Sequence, residues 1–221
     1  MILRRNNGIK LFRLYALITM IFYSQSLPGF CCDSIKAADN EFRLIELHYE
    51  NLSGEKGLTT FFYSGKGMMN QAHWELLDRS RSSENYYTYD EERNLITKYR
   101  EFSDSITSNQ LYKYDKKGDL ISEHFNRSDG VTGTTDYEYD KYDKLIKANC
   151  NGLAGWFYGI INYEYDANEI KTKGIIEKDE ELIGNIYFEH DEAGNLIKEY
   201  WEFPDSWSQT FMYEYEKIEC D

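Results

Sequence analysis

Histidine is the first residue type to ask about, because imidazole is both the commonest metal ligand and the usual general base near neutral pH. His48, His73, His124 and His190 are scattered, and none belongs to a His-Glu-x-x-His or Cys-x-x-Cys pattern. No catalytic residue, metal site or cofactor is therefore expected, and His190 reads as a substituted aromatic of a repeat. Ser64-Gly65-Lys66-Gly67 has the residue types of a phosphate loop but lacks its four-residue spacer and the following Ser or Thr. Asp90, Asp115, Asp140, Asp166 and Asp191 recur as a calcium ladder would. No Asp-rich ligand loop surrounds them, however, and each sits where a turn needs an acceptor. The remaining candidates are aromatic. Tyr89, Tyr114, Tyr139 and Tyr165, each with a partner two residues earlier, either pack as core or form a surface strip. Such a strip would stack on glycan rings or hold a protein partner.

These residues are positioned by internal repetition. Tyr-x-Tyr-Asp occurs at 87–90, 112–115, 137–140 and 163–166, with degenerate copies Phe188-Glu189-His190-Asp191 and Tyr213-Glu214-Tyr215-Glu216. The last position of each falls at 90, 115, 140, 166, 191 and 216, and Ser64 and Asp39 extend the step backwards. Glu101-Phe102-Ser103-Asp104-Ser105 returns as Glu202-Phe203-Pro204-Asp205-Ser206 in the same register. Each unit reads as a β-hairpin. Tyr-x-Tyr has the period of a strand covered on one face, the acidic residue opens a turn, and a glycine three positions on accepts positive φ. The return strands begin Asn94-Leu95-Ile96, Asp119-Leu120-Ile121, Lys144-Leu145-Ile146 and Asn195-Leu196-Ile197.

Adjacent Leu and Ile on a strand point to opposite faces, which predicts that both faces bury something near the turns. The expected fold is all-β, about fourteen strands of tandem antiparallel hairpins forming a twisted or coiled repeat sheet. Tyr-x-Tyr-Asp followed by x-x-Gly-x-Leu-Ile, fullest at 112–121, resembles the YD repeat of RHS-type proteins. The similarity runs over roughly residues 39–221, with a longer period than that family's unit. The resemblance implies tandem hairpins in a long coiled sheet on a secreted or surface-attached bacterial protein. This chain, being short, is expected to leave such a sheet unclosed.

Composition sets the partners. The net charge of -14 repels nucleic acid and anionic membrane surfaces. Arg4, Arg5, Lys10 and Arg13 precede the ten-residue apolar run Leu14 to Tyr23, too short to span a bilayer but suited to a signal-peptide core. Residues 1–38 are expected to be a signal and processing region, and residues 39–221 the hairpin-repeat domain. No transmembrane span is expected in the mature chain. Cys31 or Cys32 is a candidate for lipidation, although neither follows the small residue that a lipoprotein signal prefers. Cys150 and Cys220 lie about three repeats apart, so two free thiols are expected rather than a disulfide. The functional expectation is an exported, non-enzymatic protein of the cell envelope or exterior, acting in binding or adhesion through a protein or glycan partner. The alternative is a structural, accessory or shielding protein of an RHS-like toxin or secretion system.

Overall fold

Side chains on an extended chain point alternately to opposite faces, so the aromatic–polar alternation buries one face and wets the other. The computed structural model describes residues 42–65, 67–153, 157–204 and 207–217. They form strands β1 (Phe42–Asn51), β2 (Lys56–Tyr63), β3 (Met69–Leu76), β4 (Ser82–Tyr89), β5 (Leu95–Phe102), β6 (Thr107–Tyr114) and β7 (Leu120–Arg127). The second half supplies β8 (Thr132–Tyr139), β9 (Leu145–Leu153), β10 (Phe157–Tyr165), β11 (Lys171–Lys178), β12 (Glu181–His190), β13 (Leu196–Phe203) and β14 (Trp207–Lys217). Every strand is antiparallel to both neighbours, and β14 pairs with β1.

The chain is all-β, but the expected twisted or coiled open sheet does not form: the strands close into a barrel. Length was the wrong criterion, because seven hairpin units suffice for closure. In β4–β5, Tyr89 lies opposite Leu95, Ile96 bulges, and Thr88 and Tyr87 lie opposite Thr97 and Lys98. At the seam, Tyr215 lies opposite Leu44, Ile45 bulges, and Glu214 and Tyr213 lie opposite Glu46 and Leu47. The seam is therefore one more hairpin of the series, opened at its turn. Closure also leaves neither terminal strand with an unpaired edge.

The turns carry the repeated aspartates. Oδ1 of Asp115 accepts from the N–H groups of Lys117 and Asp119 at 2.7 and 3.0 Å, and Asp140, Asp166 and Asp191 accept two and four residues on in the same way. Asp90 accepts from Asn94 N–H at 2.7 Å. The left-handed position falls to Gly118 (φ 92°) and Gly194 (φ 86°), but Arg93, Asp143 and Glu169 adopt it as well. Past four of the turns a leucine begins the return strand and the next isoleucine occupies the bulge, places taken by Met69 and Asn70, and by Lys171 and Thr172, at the other two. Ile96, Ile146 and Ile197 are consequently exposed on the outer wall. The expectation that both faces are buried near the turns is corrected accordingly.

Inside, residues five before the turn aspartate form a buried row across the even-numbered strands: Thr59, Asn85, Gln110, Thr135, Ile161, Ile186 and Phe211. Two residues earlier runs a row of small residues, Gly57, Ser83, Ser108, Gly133, Gly159 and Gly184, which ends on β14 with the buried Gln209. At the glycines the size limit is steric. A β-carbon at Gly133 would stand 1.9 Å from the Gly152 carbonyl oxygen, and one at Gly184 2.7 Å from the Glu202 carbonyl oxygen.

Candidate functional site

The second tyrosine of each unit lies at the rim of the barrel and ties neighbouring hairpins together. Its hydroxyl donates to the carbonyl of the first residue, or near the first, of the preceding return strand. The pairs are Tyr63 to Leu44 (2.6 Å), Tyr89 to Met69 (2.7 Å), Tyr114 to Leu95 (3.0 Å), Tyr139 to Leu120 (2.9 Å), Tyr165 to Leu145 (2.7 Å) and Tyr215 to Leu196 (2.9 Å). Burial pushes the hydroxyls of Tyr89, Tyr114, Tyr139 and Tyr215 up to about 12. Tyr89, Tyr114, Tyr139 and Tyr165 thus stand as half-buried rim residues with their hydroxyls engaged.

The ring of staples has one break. At the sixth of the seven positions His190 replaces the tyrosine and Lys171 replaces the apolar first residue of the return strand. The Lys171 ammonium packs 4.4 Å from the ring centre of Phe188 and 5.1 Å from that of Tyr163. Burial draws that ammonium down to about 8, against the pull of Glu199. Burial, and then the neighbouring Lys171, lower the His190 imidazole.

A second concentration of ionisable groups fills the interior behind β4–β8. The Arg100 Nε donates to Asn85 Oδ1 at 2.6 Å, and Asn85 Nδ2 donates to the Ala72 carbonyl at 3.1 Å. The Glu123 carboxylate, only 1% exposed, accepts from Gln110 Nε2 at 2.7 Å and Tyr137 O–H at 3.2 Å. Burial raises Glu123 to about 7, although Gln110 and Lys98 favour its anion. Burial lowers Lys98 far more strongly than Glu123 restores it. Glu199, across the barrel interior on β13, accepts from Trp201 Nε1 and from Tyr213 O–H. These groups solvate one another, and hydrogen bonding of this kind is what allows buried charge to persist.

The outer wall has different contents. Outward positions carry Glu84, Lys113, Asp136, Glu138, Glu164, Lys173, Glu189 and Glu202, among others. Against that background stand two pairs of directly opposed tyrosines. Tyr86 and Tyr99 stack with ring centres 6.3 Å apart, and Tyr187 and Tyr200 stack at 6.1 Å. Tyr86, Tyr99 and Tyr187 are 38–39% exposed. The two pairs occupy equivalent positions of different repeats, the same offset that relates the Glu-Phe-x-Asp-Ser copies. Sequence reading missed them because the Tyr-x-Tyr-Asp motif drew attention to the inward positions beside them.

The other candidates are dispersed. His48, His73 and His124 face outward on β1, β3 and β7, while His190 lies on the rim. The aspartates share one end of the barrel, each bound to its own turn. Cys150 is a buried free thiol, pushed up to about 12 by desolvation. Residues 1–41, including Cys31 and Cys32, and also Lys66 and Cys220 lie outside the described residues. Among the described residues no helix is long and apolar enough to cross a membrane.

No protein-family model matches the chain, and no curated protein matches it. Among solved structures it is similar to a porin-like protein from Bacteroides uniformis, with TM-score 0.43 and 12% identity over 80% of this chain and 99% of that one. It is also similar to parts of the TcdB2-TccC3-Cdc42 and TcdB2-TccC3-TEV structures, of the RHS/YD-repeat type, each with TM-score 0.33 and 16% identity. Those alignments cover 69% and 76% of this chain but only 9% of the other.

Proposed function

We propose that this is an exported, non-enzymatic binding protein whose barrel presents its outer wall to a neutral glycan. The observation that carries the reading is the pair of exposed tyrosine stacks in equivalent repeats. An aromatic face offers the flat apolar surface on which a sugar ring packs. Across the strands, Tyr86 and Tyr99 continue into Gln71 on one side and Asn109, then Asn126, on the other. Amides donate and accept, as sugar hydroxyls require. A net charge of -14 disfavours anionic polymers, which narrows the glycan to a neutral one.

Export is supported by the basic start and short apolar run of residues 4–23. The charged outer wall supports a barrel bathed in water, since a lysine or arginine at mid-bilayer depth on a lipid-facing strand costs about 2–4 kcal/mol. The non-enzymatic reading is supported by the densest ionisable cluster being internal and engaged in its own hydrogen bonds. Retention on immobilised neutral polysaccharides tests the proposal. Tyr86→Ala/Tyr99→Ala and Tyr187→Ala/Tyr200→Ala should each weaken retention, and combining them should abolish it. Unchanged retention by the folded quadruple variant would sink the glycan reading.

A further inference from the structure

The seam hairpin differs from its siblings at the outward pair just beyond the bulge. In the six hairpins closed by a turn, that pair is Phe62–Gln71, Thr88–Thr97, Lys113–Ser122, Glu138–Lys147, Glu164–Lys173 and Glu189–Lys198. Each pair is neutral, singly charged or oppositely charged, with ion pairs of 3.3 Å at Lys147–Glu138 and 2.6 Å at Lys198–Glu189. At the seam, Glu46 lies opposite Glu214. Like charges directly opposite destabilise an antiparallel pair, and this chain already carries excess negative charge. The nearby bases are committed elsewhere: Arg43 to Glu216, Lys56 to Glu50 and Lys198 to Glu189.

One group approaches both carboxylates. The His48 Nε2 lies 3.2 Å from Glu46 Oε2 and 3.1 Å from Glu214 Oε1. That nitrogen is shielded from solvent yet makes no hydrogen bond of acceptable geometry to either. One repeat later the equivalent His73 behaves ordinarily, with Nδ1 2.6 Å from Glu84 Oε1. An imidazole nitrogen set between two carboxylate oxygens, but not hydrogen-bonded to them, has the arrangement of metal ligands.

We propose that Glu46, His48 and Glu214 bind a divalent transition-metal ion of the zinc type. Metal–ligand bonds of about 2.0–2.2 Å at tetrahedral angles put donor atoms about 3.4 Å apart. The two nitrogen–oxygen separations are close to that, and all three donor atoms lie within 4.8 Å of one another. The imidazole disfavours calcium and magnesium, which take oxygen donors. Water completes the coordination. The ion neutralises the one like-charged pair of the series and ties β1 to β14 where no turn joins them. The donors come from opposite ends of the chain, so no ligand spacing announces them in the sequence.

Zinc titration of the metal-free protein by calorimetry, with thermal melts in zinc, calcium and chelator, tests the site. One zinc per chain and a rise in melting temperature with zinc but not calcium are expected. His48→Ala and Glu214→Gln should each weaken zinc binding about tenfold or more and remove the thermal shift. Glu214→Gln should melt higher than wild type in chelator, because it relieves the repulsion, which also shows that the variant folds. His73→Ala should titrate as wild type does. Equal zinc affinity in wild type and His48→Ala, or binding only in the millimolar range, overturns the proposal. The result is independent of glycan binding.

Discussion

One repeat position is filled in opposite ways on the two sides of the barrel. Thr59, Asn85, Gln110 and Thr135 occupy it from β2 to β8, and Ile161, Ile186 and Phe211 from β10 to β14, all buried. The return strands follow suit. Lys98, Arg100 and Glu123 line one side beside Trp74 and Phe125, and Ala148, Ile176 and Trp201 the other beside Glu199. Turn, bulge and rim staple are nevertheless the same on both. The repeat thus dictates backbone geometry and leaves the interior chemistry free, with the buried charged groups Arg100, Glu123 and Glu199 each held by hydrogen bonds. One side is held mainly by packing around the buried Glu199, and the other mainly by a hydrogen-bonded polar network.

The largest effect should come from the packed side. Phe211→Ala removes a fully buried ring and should cost about 3–5 kcal/mol in urea unfolding. Gln110→Ala, at the same repeat position, deletes one hydrogen bond to Glu123 and should cost about 1–3 kcal/mol. Equal costs would break the contrast between packing and network.

pH probes both sides next, because burial raises Glu123 on one and Glu199 on the other. The Glu123 carboxyl is raised by burial from 4.5 to about 7, so the folded state holds a proton that the unfolded state has released. The associated stability is full below about pH 4.5 and is lost as pH rises through 7, by roughly 3 kcal/mol. Glu123→Gln keeps the shape and should remove that share of the decline, leaving the share of Glu199, which burial raises as well. Unfolding free energies at pH 4.5, 5.5, 6.5 and 7.5 check it. A wild type and variant that decline in parallel would place the titrating group elsewhere. The rim staples, by contrast, should be indifferent to side. Tyr114→Phe and Tyr215→Phe should each cost about 0.5–1.5 kcal/mol, roughly additively when combined, because the hydrogen bonds are alike and far apart.

Much of this architecture was legible in the chain. Local rules govern Asp115-Lys116-Lys117-Gly118 and the Tyr-x-Tyr strands, so turns and hairpins follow from nearest neighbours. Closure does not, because it depends on the pairing of Tyr215 with Leu44 from opposite ends of the sequence. The clue was present nonetheless: a series that opens on a return strand and ends on an outgoing one is a ring cut at a turn. The small row from Gly57 to Gly184 also went unread, since serine at 83 and 108 hides a steric requirement that glycine elsewhere makes plain. The outer tyrosine pairs and the Glu46–His48–Glu214 cluster escaped for a related reason. Each is made by cross-strand register, and register is not a spacing along the chain.

The smallest expected effect concerns the break in the rim, where the packed side departs from the shared geometry. His190→Tyr restores the repeated residue, and by analogy with Tyr165 and Leu145 its hydroxyl should reach the Lys171 carbonyl at the start of β11. A gain of about 0.5–1 kcal/mol is expected, the lower part of the range for one net hydrogen bond, because the Lys171 ammonium still crowds the site. The gain should depend on pH. The folded-state imidazole is lowered by burial and by Lys171, so its stability is complete above the unfolded value of 6.5 and is lost as pH falls through the folded one. A tyrosine there does not titrate in that range, so the advantage of His190→Tyr should widen from pH 7.5 to pH 5. Lys171→Leu added to His190→Tyr rebuilds the full repeat and should raise stability further by relieving a buried ammonium. Melts of both variants at the two pH values decide the matter. If the double variant is less stable than the single one, Lys171 on the rings of Phe188 and Tyr163 is itself a stabilising part of the packed side, and the break is a second solution to holding the rim.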